Sequence, residues 1–428
     1  MLLKSKAPAS LWTSPISTAF WGFAVLYLAA LVYVRHVTYL DPGSWFFNRT
    51  LAYTRQYSEV RRQQADEYIR AATKSTFPVL SRNQSTSPDL CVGVAGLLKD
   101  PAQYLETSIG SLLEGLSGYE RDRLHLSVYM THRRWHESES EIPPHFKPWI
   151  SKLADDVQQY WLHDDKHETH TVHESMSSGR PYYTDLMKLC YASGASYMAI
   201  LEGETVAMDG WFHRTMEAID QAEALSTDHD FKISLFYPEV HLPQWQPEAT
   251  LRSFIISSTV VVAAFATALF VIRLSSSRLK PHLTMRVILT VSCICVPALI
   301  ALAISAGRSI YRPLPIGLNR LETHHSNSQA YVFPRQLAKN IIEWNKDGHA
   351  LGASEVVNGR ENELVWTLNP SVIQHVGRKS LKTEYFALAD KNDRATAEQL
   401  FNFAFELNDA DELRKEHLKA LGQEAEKI

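Results

Sequence analysis

Cysteine is scarce in this chain, with four in 428 residues, and two of them, Cys293 and Cys295, sit inside a long apolar run. A small scaffold built on disulfides is thereby excluded. Neither charge sign dominates: the formal net charge is -4, so no global field draws the protein to nucleic acid, and partners must be recognised locally. The chain has no glycine-rich phosphate loop, CxxC pair, GxSxG elbow or HExxH, and no repeat at a period of roughly 20–50 residues. Any chemistry therefore rests on carboxylates and a few His, Lys or Arg side chains. The 45% hydrophobic and 11% aromatic content argues against disorder and for a packed core. Cys91 and Cys190 can pair only if both face an oxidising compartment and their backbones approach, and the sequence leaves that open.

Long charge-free apolar runs are what the chain does have. Residues 15–34 (PISTAFWGFAVLYLAALVYV) are long enough, at about 1.5 Å per residue, to cross the roughly 30 Å hydrocarbon core. They exceed the h-region of a signal peptide, so an anchor is expected. Residues 254–272 and 287–304 are two further such runs, with no polar face in either. Together they read as a transmembrane hairpin, and Pro297 is tolerated where neighbouring helices satisfy the freed backbone groups. Its connection carries Arg273, Arg278, Lys280 and Arg286 without an acid, which marks it as cytosolic. Parity then puts the N-terminus in the cytosol and both large remaining segments in the lumen of the Golgi or ER. The acceptor triplets beginning at Asn48 and Asn83 agree with that side.

The expected organisation is a cytosolic tail (1–14), an anchor (15–34), a lumenal stem and linker (35–88), a first catalytic part (89–252), the hairpin (253–307), and a second catalytic part with a tail (308–428). Within the first part, CVGVAGL, the helical stretch PAQYLETSIGSLLEGL and LHLSVYM read as strand, helix and strand, a βαβ unit. A helix over 183–192 and the strand YMAIL over 197–201 follow, ending in Glu202-Gly203-Glu204. Ligands of open α/β sheets bind beyond the carboxyl ends of the strands, so these two carboxylates are candidates for a divalent ion that grips a diphosphate. Asp209 either shapes the same loop or caps the helix beginning near Trp211. HDDKHETHTVH over 163–173 lacks a fixed metal-binding order and reads as a polar loop.

Three blocks carry a family resemblance: SLLEGLSGYERDRLHLSVYM, GRPYYTDLMKLCYASGASYMAILEGETVAMDGWFHRT and WTLNPSVIQHVGRKS. They resemble the GT-A-fold glycosyltransferases related to the GPI N-acetylgalactosamine transferase and, more distantly, N-acetylglucosaminyltransferase IV. The tandem spans between catalytic segments are similar to the former family's architecture. The resemblance implies an α/β GT-A-like domain interrupted by a transmembrane hairpin, preceded by an anchor. It implies inverting transfer of an N-acetylhexosamine from a UDP-sugar to a GPI glycan or another membrane-tethered acceptor. The family's Glu-Asp-Asp donor motif falls on Glu202, Gly203 and Glu204, so the middle acid is missing, and Gly203→Asp is expected to raise turnover. Mn²⁺ or another divalent cation would be held by Glu202, Glu204 and His375. Arg180, Lys188 and Arg378, with Lys379 beside the last, would contact UDP. Glu355, with Glu361 and Glu363 as neighbours, would be the catalytic base. The rival expectations are an inactive GT-A-fold membrane protein that binds glycans or partners, and a purely structural membrane protein.

Overall fold

A computed structural model describes residues 15–41, 43–48, 51, 54–74, 87–98, 103–133, 150–162, 180–226, 231–238, 247–307, 314–320, 330–346, 364–376 and 401–425. The chain forms two compact units, each assembled from two stretches of sequence: 1–54 with 243–313, and 55–242 with 314–428.

The first unit holds helix α1 (Pro15–Val37). The second begins with α2 (Tyr57–Lys74), β1 (Leu90–Leu98), α3 (Gln103–Leu113), α4 (Gly118–Arg123) and β2 (Leu124–Arg133). It continues with α5 (Ile150–Leu153), β3 (Asp156–Leu162), α6 (Arg180–Ala192), β4 (Tyr197–Glu202), β5 (Thr205–Ala207), α7 (Trp211–Leu225) and β6 (Phe231–Ser234). The first unit resumes with α8 (Pro247–Ser275) and α9 (Met285–Ser305). The second is completed by β7 (Gly317–Arg320), β8 (Ala330–Pro334), α10 (Arg335–Lys346), β9 (Leu364–Asn369), β10 (Ile373–His375) and α11 (Ala410–Ala425).

Three helices, in α1, α8 and α9, are long and apolar enough to cross a membrane. They leave most of their apolar side chains exposed, as helices solvated by lipid do. Helix α9 continues through Pro297 by widening into a π turn over Val291–Cys295. The proline ring cannot fit under the carbonyl four residues back, and a wider turn relieves that conflict. The end of α1 is stapled to the end of α9. The Ser44 hydroxyl and the Trp45 amide both donate to the Ser305 carbonyl, at 2.9 and 3.1 Å, and Thr38 bonds Ser44 at 2.8 Å. Gly307 has φ +82°, and a Cβ there would stand 2.6 Å from the Ser44 nitrogen. The segments leaving α1 and α9 therefore emerge at the same end of the bundle.

The second unit is built on an eight-stranded sheet of order β3-β2-β1-β4-β8-β6-β9-β7. Strands β3, β2, β1 and β4 are parallel, β8 is antiparallel to both β4 and β6, β9 is parallel to β6, and β7 is antiparallel to β9. Alternation along β1 divides the core in two. Leu90, Val92 and Val94 face the side covered by α3 and α7, while Cys91 and Ala95 face α6 and α10. Cys91 and Cys190 form a disulfide with their Cα atoms 5.4 Å apart, which ties β1 to α6 and closes the question left open above.

Within the stretch expected as a stem, residues 57–74 form a helix that is not free-standing. Helix α2 lies in the α/β unit and buries Tyr57, Ser58, Arg61, Ala65 and Ile69. Its buried face includes an arginine and small residues, so the helix looks solvated by composition. The Arg61 guanidinium donates to the carbonyls of Ala207 and Ser111, at 2.8 and 2.9 Å, and pairs with Glu114.

Replacing Cys91 or Cys190 by Ser should lower unfolding stability by about 2–5 kcal/mol. A large drop in the melting temperature of either variant, matched by the reduced wild type, is the expected result.

Candidate functional site

The carboxyl end of β4 lies at a switch in strand order: the chain runs outward through β1, β2 and β3, then places β4 on the other side of β1. Crevices at such points bind ligands in open α/β sheets. Beyond β4 the turn at Gly203 and Glu204 leads directly into β5, which pairs with β10 from the far end of the sequence. The register sets His375 opposite Thr205, Gln374 opposite Val206 and Ile373 opposite Ala207. The Val376 amide donates to the Glu204 carbonyl at 2.7 Å, and the Met208 amide to the Val372 carbonyl at 2.9 Å. Residues more than 160 positions apart thus share one edge, and His375 Nε2 stands 3.7 Å from Glu204 Oε2.

His375 is only 3% exposed, and among the described residues neither ring nitrogen has a hydrogen-bond partner. Burial, with the nearby Arg55 charge adding to it, pushes its pKa down to about 3, so the imidazole is neutral. Arg55 also donates to the Val376 carbonyl. A neutral imidazole with free nitrogens beside a half-buried carboxylate suits an ion such as Mn²⁺, with diphosphate oxygens and water completing the shell. These two side chains fit the expected cation.

Glu202 is buried, and alternation along β4 aims it at the face lined by Met198 and Ile200, under α6. There it adds to the burial that raises the Tyr183 pKa. The expected three-ligand set thus separates into Glu204 with His375, and Glu202 on the α6 side. Gly203 donates its amide to the Ala95 carbonyl at 2.6 Å. A Cβ at this position would stand 2.8 Å from that carbonyl oxygen and 3.0 Å from Gly96 Cα. The turn therefore admits no side chain at this position: the β1 backbone occupies the space one would need.

Lys188 is exposed and pairs with Asp185 at 3.0 Å, one turn away on α6. Arg180 opens α6, and its side chain lies outside the described residues, as do Glu355, Glu361, Glu363, Arg378, Lys379 and residues 163–173. Asp209 does not cap α7, whose N-cap is Gly210 with φ +72°. Instead Asp209 accepts a hydrogen bond from His417 Nδ1 at 2.6 Å and one from Arg414 at 3.0 Å. The other His417 nitrogen faces both Glu120 oxygens at 3.0 and 3.1 Å, and the His213 ring stacks on it, with centroids 5.3 Å apart.

Glu120, His213 and His417 stand close enough to be tested as metal ligands. The test fails on geometry. Both nitrogens of His417 already face carboxylates, and the two rings lie only 20° from parallel, so their in-plane lone pairs do not converge on one point. The group is an ionic clamp. Burial works against a charged His417, but hydrogen bonds to Asp209 and Glu120 outweigh it and raise the pKa from 6.5 to about 9. Burial likewise opposes both carboxylates, yet the bond from His417 and its charge hold them below their ordinary values. His213 is pushed down to about 4, first by burial and then by the His417 charge.

Arg55, Gln374, Glu406 and His417 support the site and were missed in the sequence: Arg55, Glu406 and His417 stand outside any motif, and Gln374, inside the late block, carries no sign of its buried partners. No protein-family model matches the chain, and a search of curated proteins finds no match either.

Gly203→Asp should not raise turnover; overpacking against β1 should cost about 1–3 kcal/mol, read as a lowered melting temperature. Stability should peak near pH 6.5. The raised His417 contributes fully below 6.5 and loses its contribution as pH climbs through about 9. The depressed His213 and His375 work in the opposite direction, and stability falls as pH drops below 6.5 toward about 4 and 3. Melting curves from acid to alkaline pH should show both limbs, and His417→Gln should flatten the alkaline one.

Proposed function

We propose that this protein is a membrane-bound glycosyltransferase with a GT-A-like lumenal domain, using a UDP-sugar donor and a divalent cation. The observation that carries the reading is the meeting of Glu204 and His375, 3.7 Å apart, at the carboxyl edge of β4. Two of the three sequence blocks that resemble the GPI N-acetylgalactosamine transferase family contribute one residue each to that meeting. A structural ion pair is the competing account, but it would leave a buried imidazole with neither nitrogen hydrogen-bonded, a costly arrangement unless something else occupies the lone pair.

When bound, the cation would neutralise charge building on the departing diphosphate. The chain's own part is to present a neutral nitrogen and a carboxylate oxygen without competition from a proton. His375 does so because its depressed pKa leaves it unprotonated at any physiological pH. Inversion needs a base that takes the acceptor hydroxyl proton during in-line attack, and Glu355 is the residue proposed for it. Arg180 and Arg378 are proposed to face the donor phosphates.

The three apolar helices support a membrane-tethered acceptor, since an anchored crevice raises the effective concentration of a lipid-linked glycan such as a GPI anchor. The Cys91–Cys190 disulfide supports an oxidising, lumenal side for the α/β unit, and the acid-free basic connection between α8 and α9 supports a cytosolic hairpin tip. A Golgi or ER membrane meets both conditions. The alternative reading is an inactive member of the fold that binds glycans.

Full-length protein in detergent should bind UDP more tightly with Mn²⁺ and release UDP from a UDP-N-acetylhexosamine when a GPI glycan is supplied. Glu204→Gln and His375→Ala should each lower that release roughly a hundredfold or more. Donor binding that ignores both substitutions would overturn the assignment, and donor binding without release would select the inactive alternative.

A further inference from the structure

Glu204 and His375 approach without a hydrogen bond between them, so their backbones must set the separation. The same stretch near the C-terminus holds Gln374, next to His375 on β10, and Asp209, just past β5, the strand that Glu204 leads into. On the β10 side, Gln374 alternates with His375 and is fully buried. Its Nε2 donates to the Asn402 carbonyl at 2.8 Å and to Glu406 Oε1 at 2.9 Å, while its Oε1 accepts the Asn402 amide at 3.0 Å. The other Glu406 oxygen accepts the amides of Gln56 and Ser58, at 2.7 and 3.1 Å, at the start of α2. On the β5 side, Asp209 is held by His417 and Arg414, and its amide donates to the Tyr57 hydroxyl at 3.0 Å.

Neither grip resembles what simple adhesion would use. A buried carboxylate is costly unless several donors surround it, and apolar side chains of similar volume would seal a C-terminal segment at least as firmly. Directional bonds do something apolar packing does not: they fix register, because a slip of one residue breaks all of them together.

We propose that residues 401–417 are the positioning element of the Glu204/His375 pair, with Glu406 holding β10 and His417 holding the segment that follows β5. The proposal rests on reading that pair as the donor site. Glu406 and His417 act through Gln374 and Asp209 and touch no substrate, so they are positioning residues.

The test is amide exchange on full-length Glu406→Gln protein, compared with wild type. The Val376 and Met208 amides, which bond β10 and β5 together, should exchange about tenfold faster, while amides between β1 and β2 keep their rates. Should Glu406→Gln not accumulate, Arg414→Gln removes a half-exposed partner of Asp209, with a longer 4.0 Å contact to Glu114, and should quicken Met208 selectively. Unchanged rates at Val376 and Met208, or uniform acceleration that includes β1 and β2, would overturn the proposal. Calorimetry with Mn²⁺ and UDP separates the two layers of argument. If wild type binds and Glu406→Gln binds about tenfold more weakly, both stand. If wild type binds neither, the donor-site reading falls, and the exchange rates still decide whether the segment positions the pair.

Discussion

The antiparallel pairing of β5 with β10 is the contact on which the rest of the α/β unit depends. It spans only three residue pairs, yet it joins a strand that precedes both α8 and α9 to one that follows them. A short ladder of this kind contributes little by itself, because closing so long a loop costs entropy that a few backbone bonds do not recover. Its permanence comes from the neighbours. Arg61 bonds the Ala207 carbonyl, the Ser111 hydroxyl accepts the Ala207 amide at 2.9 Å, and the Ser371 hydroxyl donates to the Leu235 carbonyl at 2.9 Å. The ladder is thus a point where α2, α3, β6 and the C-terminal segment all terminate their polar groups.

Close packing at the same point decides which acids the site can carry. Gly203 lies against β1 so tightly that no side chain fits, while Glu204, one residue on, reaches the edge. An acidic triplet in this turn would push β4 and β1 apart, and those strands form the parallel centre of the sheet.

Much of this was legible in the sequence, and the parts that were not share a cause. The three spans, β1, β2, β4 and the helices between them followed from apolar runs and periodicity, because apolar burial leaves a pattern. Gln374, Glu406, Asp209 and His417 are all buried, and burial of a polar side chain leaves none: it depends on partners supplied by distant segments. Helix α2 was misread as a stem for that reason, with Arg61 standing where a core apolar residue would have revealed the inward face. The closeness of Glu204 and His375 was anticipated through resemblance. The separation of Glu202 from them follows from strand alternation at β4, but the sequence reading treated the whole triplet as loop.

One consequence connects the clamp to the pair. The imidazoles of His417 and His375 are held in opposite protonation states: His417 keeps its proton because two carboxylates face it, and His375 gives its proton up because burial and Arg55 oppose the charge. The contrast is set by placement, since a histidine in water would titrate between the two. His417 spends its charge on geometry, drawing Asp209 and Glu120 together across α4, α7 and α11. His375 remains neutral and, among the described residues, without a hydrogen-bond partner, which is unfavourable in a folded core. A fold that tolerates the second arrangement needs the first, because a side chain with no partner of its own stays in place only when the backbone carrying it is bonded elsewhere.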